Sequence, residues 1–151
     1  MREIKFRGRT RDGKWIYGIP IRTHLGTFIV FEENPHYCCL YGYMEIDELD
    51  YVDPYTIGQF TGLYDKNNTE IFKGDILRAD IYPLHDRNND NYYAEVCWWD
   101  DEPGFGLRIH KNPKSKVKGI SDCTTESIGE IFNNEEHWEV IGNIYDNPEL
   151  I

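Results

Sequence analysis

The chain has 151 residues, of which 40% are apolar and 15% aromatic, and its 27 acidic against 16 basic residues give a net charge of −11. This length predicts one domain, residues 1–151, with a core that needs no disulfides. The aromatic content argues against intrinsic disorder. No apolar run approaches the roughly 20 residues of a membrane-spanning helix, and the N-terminus lacks the apolar stretch of a signal peptide. We therefore expect a soluble, cytoplasmic protein with no membrane partner.

The charges are arranged in blocks. Residues 1–22 hold seven basic and two acidic residues, whereas residues 23–65 and residues 120–151 each hold eight acidic residues and no Lys or Arg. A basic loop between them carries four lysines: Lys111, Lys114, Lys116 and Lys118. The simplest interpretation is charged faces that keep the protein in solution. The alternative is a basic N-terminal edge of one subunit that pairs with an acidic face of another.

In chain order, the sequence predicts strand after strand with turns between them. The predicted strands are residues 3–9, 14–19, 27–31, 56–61, 76–81, 92–99, 105–109 and 138–145, and residues 39–46 are ambiguous. The predicted turns are Asp12–Gly13, Asp53–Pro54, Asp65–Asn68, Gly74–Asp75, Asp100–Gly104 and Asp146–Leu150. One helix is predicted, from Ser121 through Asn134.

The order of elements over residues 71–109 is typical of small SH3-like barrels. It runs from a Gly-Asp turn through a strand, a loop, a strand and a turn to another strand. Glycines in such barrels relieve crowding where bent strands turn corners. The predicted fold class is therefore mainly β, with a small, strongly bent, SH3-like barrel core, an N-terminal hairpin and at most one or two short helices. This architecture carries no function by itself.

The cysteines and histidines show no metal-binding spacing. Four cysteines (Cys38, Cys39, Cys97 and Cys123) include no C-x-x-C pair, and the five histidines include no H-x-x-x-H pair. The one local cluster of candidate ligands is His36 with Cys38 and Cys39, where zinc is the alternative. We predict reduced, free thiols, no metal site and no other cofactor.

No motif in the chain names a reaction. The densest acidic group is Asp100, Asp101 and Glu102, but consecutive carboxylates in a turn point in different directions. Asp75, after Gly74, is expected to accept hydrogen bonds from backbone N–H groups of its own turn. A metal-dependent hydrolase would need two or three carboxylates that converge on one point. We predict no catalytic residues, and such an enzyme is a less favoured alternative than nucleic-acid binding.

A nucleic-acid surface is the stronger alternative. Lys5, Arg7, Arg9 and Arg11 alternate along the first predicted strand, and alternate residues of a strand share one face. Four cations in a row would form a track for phosphates. The competing interpretation is a charged edge that discourages aggregation. The neighbouring Trp98 and Trp99 complete the candidate binding residues.

Four phrases of the sequence, in register over nearly the whole chain, resemble the YopX family of bacterial phage and prophage proteins. They are Ile4–Gly8 with Trp15–Gly18, Ile57–Lys66, Glu70–Leu77 and Glu139–Leu150. Residues 36–50 and the lysine-rich loop depart from the resemblance. It implies a β-rich fold and a phage or prophage setting, with no established activity and no catalytic residues to transfer.

These observations favour a non-enzymatic accessory protein that acts by binding or self-assembly. The edge strands of a small β-rich domain have unpaired backbone groups that a neighbouring chain can cover. In addition, a core of this size does not fully bury all 22 aromatic residues. We therefore expect a homo-oligomer. Nucleic-acid binding through the basic strand is the alternative. A DNA mimic built on the acidic blocks is a third interpretation, which the basic N-terminus disfavours.

Overall fold

The computed structural model describes residues 3–30, 36–38, 43–45, 49–79, 92–101, 103–112, 114, 123–127, 129 and 137–151, with the backbone alone for residues 36–38, 43–45, 49–50 and 123–127. These residues form strands β1 (Phe6–Thr10), β2 (Trp15–Thr23), β3 (Gly26–Val30), β4 (His36–Cys38), β5 (Tyr43–Glu45), β6 (Leu49–Tyr64), β7 (Glu70–Phe72), β8 (Asp75–Ala79), β9 (Tyr92–Trp99), β10 (Gly104–Lys111), β11 (Cys123–Ser127) and β12 (Trp138–Asn143). A 3₁₀ turn, Pro148–Leu150, follows β12.

Two compact units make up the chain, Met1–Phe60 and Thr61–Ile151, and β6 begins in the first and ends in the second. In the first unit, β1 pairs with β2, β2 with β3, β3 with β6 and β6 with β1, all antiparallel. These four pairings close a ring. The predicted mainly β fold with a small barrel is therefore confirmed, while the prediction of one domain stays a prediction.

The turn pattern predicted the barrel within residues 71–109, but the closed barrel is formed by an earlier part of the chain. It is built from residues before Thr61, where two buried glycines admit its closest contacts. A Cβ at Gly8 would lie 3.0 Å from Ile29 Cδ1, and a Cβ at Gly18 would overlap the carbonyl oxygen of Val30. Glycines therefore relieve crowding in the barrel, as expected, but in strands β1 and β2.

The predicted N-terminal hairpin is confirmed between β1 and β2. The Thr10 N–H donates to the carbonyl oxygen of Lys14 at 2.8 Å, and the Gly13 N–H donates to that of Thr10 at 3.0 Å. Gly13 has a φ of +87°, a left-handed conformation that favours glycine. The Thr10 hydroxyl donates to Asp12 Oδ1 at 2.6 Å, which fixes the turn. Strands β4 and β5 form a separate two-stranded ladder.

The second unit contains a five-stranded antiparallel sheet in the order β11-β10-β9-β8-β12, and β7 pairs with β6. Alternation along these strands sends one set of side chains into a dry core. The core residues are Ile71, Leu77, Ala79, Ala94, Val96, Leu107, Ile109 and Trp138. The outer face of the same sheet carries charged residues, so the unit shows the apolar-in, polar-out pattern that predicts strands.

The helix predicted from Ser121 through Asn134 is wrong over Cys123–Ser127, which is strand β11. Its register with β10 places Thr124 opposite Ile109 and Glu126 opposite Leu107. Adjacent threonines favour a strand, and the edge of β10 supplies backbone partners that a local pattern cannot show. Except for Gly129, the other residues of that prediction lie outside the described residues. No helix in the described part of the chain has the length and hydropathy to cross a bilayer.

Candidate functional site

The basic residues predicted as one face have different environments in the first unit. Arg7 is only 7% exposed, and its Cζ lies 4.7 Å from the centroid of the Trp15 ring. The Nζ of Lys5, just before β1, lies 5.5 Å from the centroid of the Tyr17 ring. Arg11 is exposed in the turn after β1. Because Arg7 is buried, the four cations do not form a continuous exposed row.

Two of those basic residues, Arg9 and Arg11, line a groove in the first unit with a volume of about 850 Å³. We call this space the barrel groove. Its lining also includes Leu25, Tyr51, Asp53 and Pro54. The groove therefore brings together the end of β1, residues of two turns and the early part of β6.

A bulge in β6 shapes one side of the barrel groove. β1 pairs Arg7 with Gly58 and Arg9 with Asp53, so one β1 residue lies opposite four residues of β6. The turn predicted at Asp53–Pro54 is thus wrong as a chain reversal, because the chain continues as one strand through the bulge. Pro54 has no N–H to donate to a ladder, which suits it to an unpaired bulge position.

Hydrogen bonds from one threonine and one aspartate hold this bulge. Asp53 Oδ1 accepts from the N–H of Tyr55 at 3.0 Å, and the Thr56 hydroxyl donates to the Asp53 carbonyl oxygen at 2.7 Å. The same hydroxyl oxygen accepts from the N–H of Arg9 at 2.9 Å. The buried Thr56 therefore joins the bulge to β1 and fixes the backbone that carries Arg9.

Tyr51 presents an aromatic ring to the barrel groove in a fixed orientation. Its ring centroid lies 4.2 Å from that of Phe28, and its hydroxyl donates to the carbonyl oxygen of Leu25 at 3.2 Å. A Cβ at Gly26 would lie 2.7 Å from Tyr51 Cε1, so glycine allows the ring to pack there. Tyr51 nevertheless remains 54% exposed, and Tyr55, in the bulge, is 85% exposed.

The two tryptophans predicted as binding residues lie in the second unit, on β9. Successive strand residues point to opposite faces, so Trp98 and Trp99 do not form one surface. Trp98 is exposed and packs edge-to-face on Phe105, with ring centroids 5.3 Å apart. Trp99 covers Gly106, where a Cβ would overlap its indole ring.

Several ionisable side chains of the second unit have structural roles. Asp75 is buried, with 1% of its surface exposed, and its Oδ2 accepts a hydrogen bond from the N–H of Phe72 at 2.7 Å. This confirms the prediction that Asp75 accepts from a backbone N–H of its own turn. Hydrogen bonds from Arg78 and Lys66 hold the pKa of Glu139 below its usual value. Burial raises the pKa of the Cys97 thiol, which therefore stays protonated at neutral pH.

Other groups considered for chemistry are exposed, paired or outside the described residues. Asp100 and Asp101 are exposed in their turn, and Glu102 is not described. Glu95 Oε2 lies 3.2 Å from Arg108 Nη1 and 3.5 Å from His110 Nε2 on the outer face of the sheet. Within the described side chains, no group of three or more His, Cys, Asp or Glu could hold a metal ion. The cluster of His36, Cys38 and Cys39 falls outside those side chains.

Sequence reasoning identified Arg9 and Arg11 but missed Leu25, Tyr51 and Asp53. Leu25 is an apolar residue in a turn, where side chains are usually exposed, and an exposed apolar side chain is the sequence signal that could have indicated a surface site there. Asp53 belongs to the turn predicted at Asp53–Pro54, and Tyr51 lies two residues before it, so the sequence pattern marks neither as a groove residue. The pairing of β6 with both β1 and β3 places them beside Arg9 and Leu25.

Comparison with known proteins bears on the family and on the fold. A family model described as YopX protein matches residues 5–151. The crystal structure of protein EF1440 from Enterococcus faecalis is similar over 99% of this chain and 99% of its own, with a TM-score of 0.54 and 24% sequence identity. That likeness shows the fold alone. No curated protein matches the chain.

Proposed function

The chain belongs to the YopX protein family, as its four phrases indicated, and from this premise we propose that it is a non-enzymatic accessory protein of a phage or prophage. It acts by binding, in the cytoplasm of a bacterial host, and the barrel groove is its binding surface. Both the phage setting and the location come from the resemblance and from the composition of the chain.

The barrel groove is the observation that carries this proposal. Its volume of about 850 Å³ lies in the range of ligand sites, which combine apolar walls with a few placed polar groups. Two lining residues, Leu25 at 66% exposure and Tyr51 at 54%, leave apolar and aromatic surface in water. Exposed apolar surface next to polar groups is typical of interaction sites and ligand-binding grooves.

The environment of the ionisable groups supports binding over catalysis. A nucleophile or general base must reach its substrate and titrate near the working pH. Asp65 and Asp75 are buried acceptors of backbone hydrogen bonds, and Cys97 is a buried, protonated thiol. Each of these groups is accounted for by the fold.

Self-association is the second part of the proposal. Tyr17 and Ile19 lie two residues apart on β2, so both point outward from the barrel, and both are exposed. β2 pairs with β1 through Trp15–Gly18 and with β3 through Ile19–Thr23, and a second copy would pack on the face that carries Tyr17 and Ile19. This face is distinct from the lining of the barrel groove.

Site-specific crosslinking in the host tests the binding surface. A photoreactive phenylalanine analogue at Leu25 of the full chain is expected to give a discrete adduct with a partner, and Arg11→Gln should weaken that adduct. The same analogue at Ile4, 64% exposed and absent from the groove lining, is the matched control. No adduct from position 25, or identical adducts from both positions, would overturn the assignment of the groove.

A further inference from the structure

The barrel groove contains the two kinds of group that recognise a nucleic-acid strand. Arg9 and Arg11 bring guanidinium groups, whose planar donor fork matches the oxygens of a phosphate. Tyr51 brings a half-exposed ring. Proteins that hold single strands combine a cationic track for the backbone with aromatic rings on which bases stack.

The Tyr51 ring is held in place before any ligand arrives. Phe28 packs against it, and its hydroxyl is bonded to the Leu25 carbonyl oxygen. A ring that is already ordered loses little side-chain entropy on binding, so more of the stacking energy contributes to affinity. Tyr55, exposed in the bulge between Pro54 and Thr56, is not part of the groove lining, so Tyr51 is the ring that the groove offers for stacking.

The same residues disfavour other ligands. An acidic peptide would use the two arginines but would have no need of the aromatic rings. A duplex requires a broad cationic face, whereas Arg7 is buried and the chain as a whole carries a charge of −11. Among the described residues of the lining, Asp53 is the one carboxylate; it accepts hydrogen bonds, and the N–H groups of an unpaired base edge can supply them.

From this arrangement we infer that the barrel groove binds single-stranded nucleic acid, with phosphates on Arg9 and Arg11 and a base stacked on Tyr51. The inference rests on the proposed function, because it names the ligand class of the same groove. It also reduces the predicted four-cation track to two arginines. Lys5 and Arg7 face Tyr17 and Trp15 instead.

Salt dependence measures the number of phosphates held. The probe is a fluorescent 12-nucleotide oligothymidylate, followed by anisotropy with the full chain. Two contacts predict a slope of about −1.4 for log affinity against log salt, so affinity should fall about sevenfold between 50 and 200 mM salt. With Arg11→Gln, the slope should halve to about −0.7 and the fall should be about 2.6-fold. Arg22→Gln, an exposed arginine outside the groove lining, should leave the slope unchanged.

The aromatic contact has its own pair of variants. Tyr51→Leu should weaken binding about tenfold, as loss of one stacked base does, and Tyr51→Phe should retain it. Tyr17→Leu, an exposed tyrosine outside the groove, is the control. Circular dichroism tests whether each variant is folded. If Tyr51→Leu does not fold, Arg11→Gln, at an exposed turn position, still tests the inference.

Equal slopes of log affinity against log salt for Arg11→Gln and Arg22→Gln would overturn the inference. So would tighter binding of a duplex of the same length than of the single-stranded oligonucleotide, or tighter binding of a poly-glutamate peptide than of that oligonucleotide. A protein adduct from position 25 together with no oligonucleotide binding at 50 mM salt would contradict this inference but still support the proposed function. If neither a protein adduct nor oligonucleotide binding is observed, the inference and the proposed function are both wrong.

Discussion

At the scale of single residues, Asp65 shows how one carboxylate organises a turn and ties it to a distant strand. Its Oδ1 accepts from the N–H groups of Asn67 and Thr69, each at 2.8 Å, and its Oδ2 accepts from the N–H of Val140 at 3.0 Å. Asn68 takes a φ of +63° in the same turn. Sequence predicted this turn, but the bond to Val140 links positions 75 residues apart and has no local signal.

Asp65→Asn should therefore lower the free energy of unfolding by about 2–3 kcal/mol at neutral pH, because an amide has one acceptor oxygen where the carboxylate has two. The amide NH₂ group would face a backbone N–H, and because both groups are donors no hydrogen bond can form between them. Urea denaturation measures the change. Asp101→Asn, at an exposed carboxylate in another turn, should stay within about 0.5 kcal/mol of the parent. Equal effects of the two substitutions would contradict the role given to Asp65.

The same carboxylate makes stability depend on acid. Burial alone would raise the pKa of Asp65, but hydrogen bonds from Val140, Thr69 and Asn67 outweigh it and hold the pKa below its ordinary value of 3.8. A group with a lowered pKa in the folded state stabilises the fold above its unfolded pKa and loses that contribution as pH falls through the folded one. The stability difference between the parent and Asp65→Asn should thus be full above about pH 5 and shrink toward about pH 2. A difference independent of pH would argue against the three bonds.

At the scale of elements, alternation and turn residues located most strands. β9, Tyr92–Trp99, has the bounds that its β-branched and aromatic residues predict, and the hairpin at Asp12–Gly13 follows from its turn residues. Prediction was wrong where a distant strand decided the outcome. At Pro54, pairing with β1 continues the strand through a bulge, and at Cys123–Ser127, the edge of β10 supplies the partner of a strand.

Closure of the barrel depends on two glycines that are not equivalent. A Cβ at Gly18 would overlap the Val30 carbonyl oxygen, which belongs to a paired strand and cannot turn aside, whereas a Cβ at Gly8 would meet side-chain atoms of Ile29 and Val52 at 3.0–3.1 Å. Gly18→Ala should therefore cost about 3 kcal/mol of stability and Gly8→Ala about 1 kcal/mol. Urea midpoints of the two variants, compared with the parent, test this order, and the reverse order would contradict the packing described for the barrel.

At the scale of the whole molecule, the barrel groove could not be derived from the sequence because the described residues of its lining come from three separate stretches. Residues 9–11 supply the cations, Leu25 comes from the turn between β2 and β3, and residues 51–56 belong to β6. Local periodicity relates residues within one element, and only the closed ring of strands places these three stretches around one space. The sequence alone indicates the cations, because charge follows from the residue type. The Tyr51 ring and the Asp53 carboxylate lie beside them only because the barrel closes.

The proposed self-association belongs to the scale of the whole chain, because it would combine blocks of opposite charge with an apolar face. On β2, Tyr17 lies beside Lys5, and Ile19 is 47% exposed. An apolar centre with a charged rim is typical of subunit interfaces, and closed symmetry is the usual result. Sedimentation velocity at micromolar concentration should therefore show a species larger than the 17.9 kDa chain.

Ile19→Asp should convert that species to a monomer, because a carboxylate would be desolvated at the centre of the interface. Leu25→Asp, at an apolar position of the barrel groove that is more exposed than Ile19, should leave the oligomer intact, since the groove lining does not include the β2 face. Complementary charge blocks should also make the association weaker as salt rises. A single 17.9 kDa species for the parent chain at both low and moderate salt would exclude self-association, and dissociation by Leu25→Asp alone would move the interface from β2 to the groove.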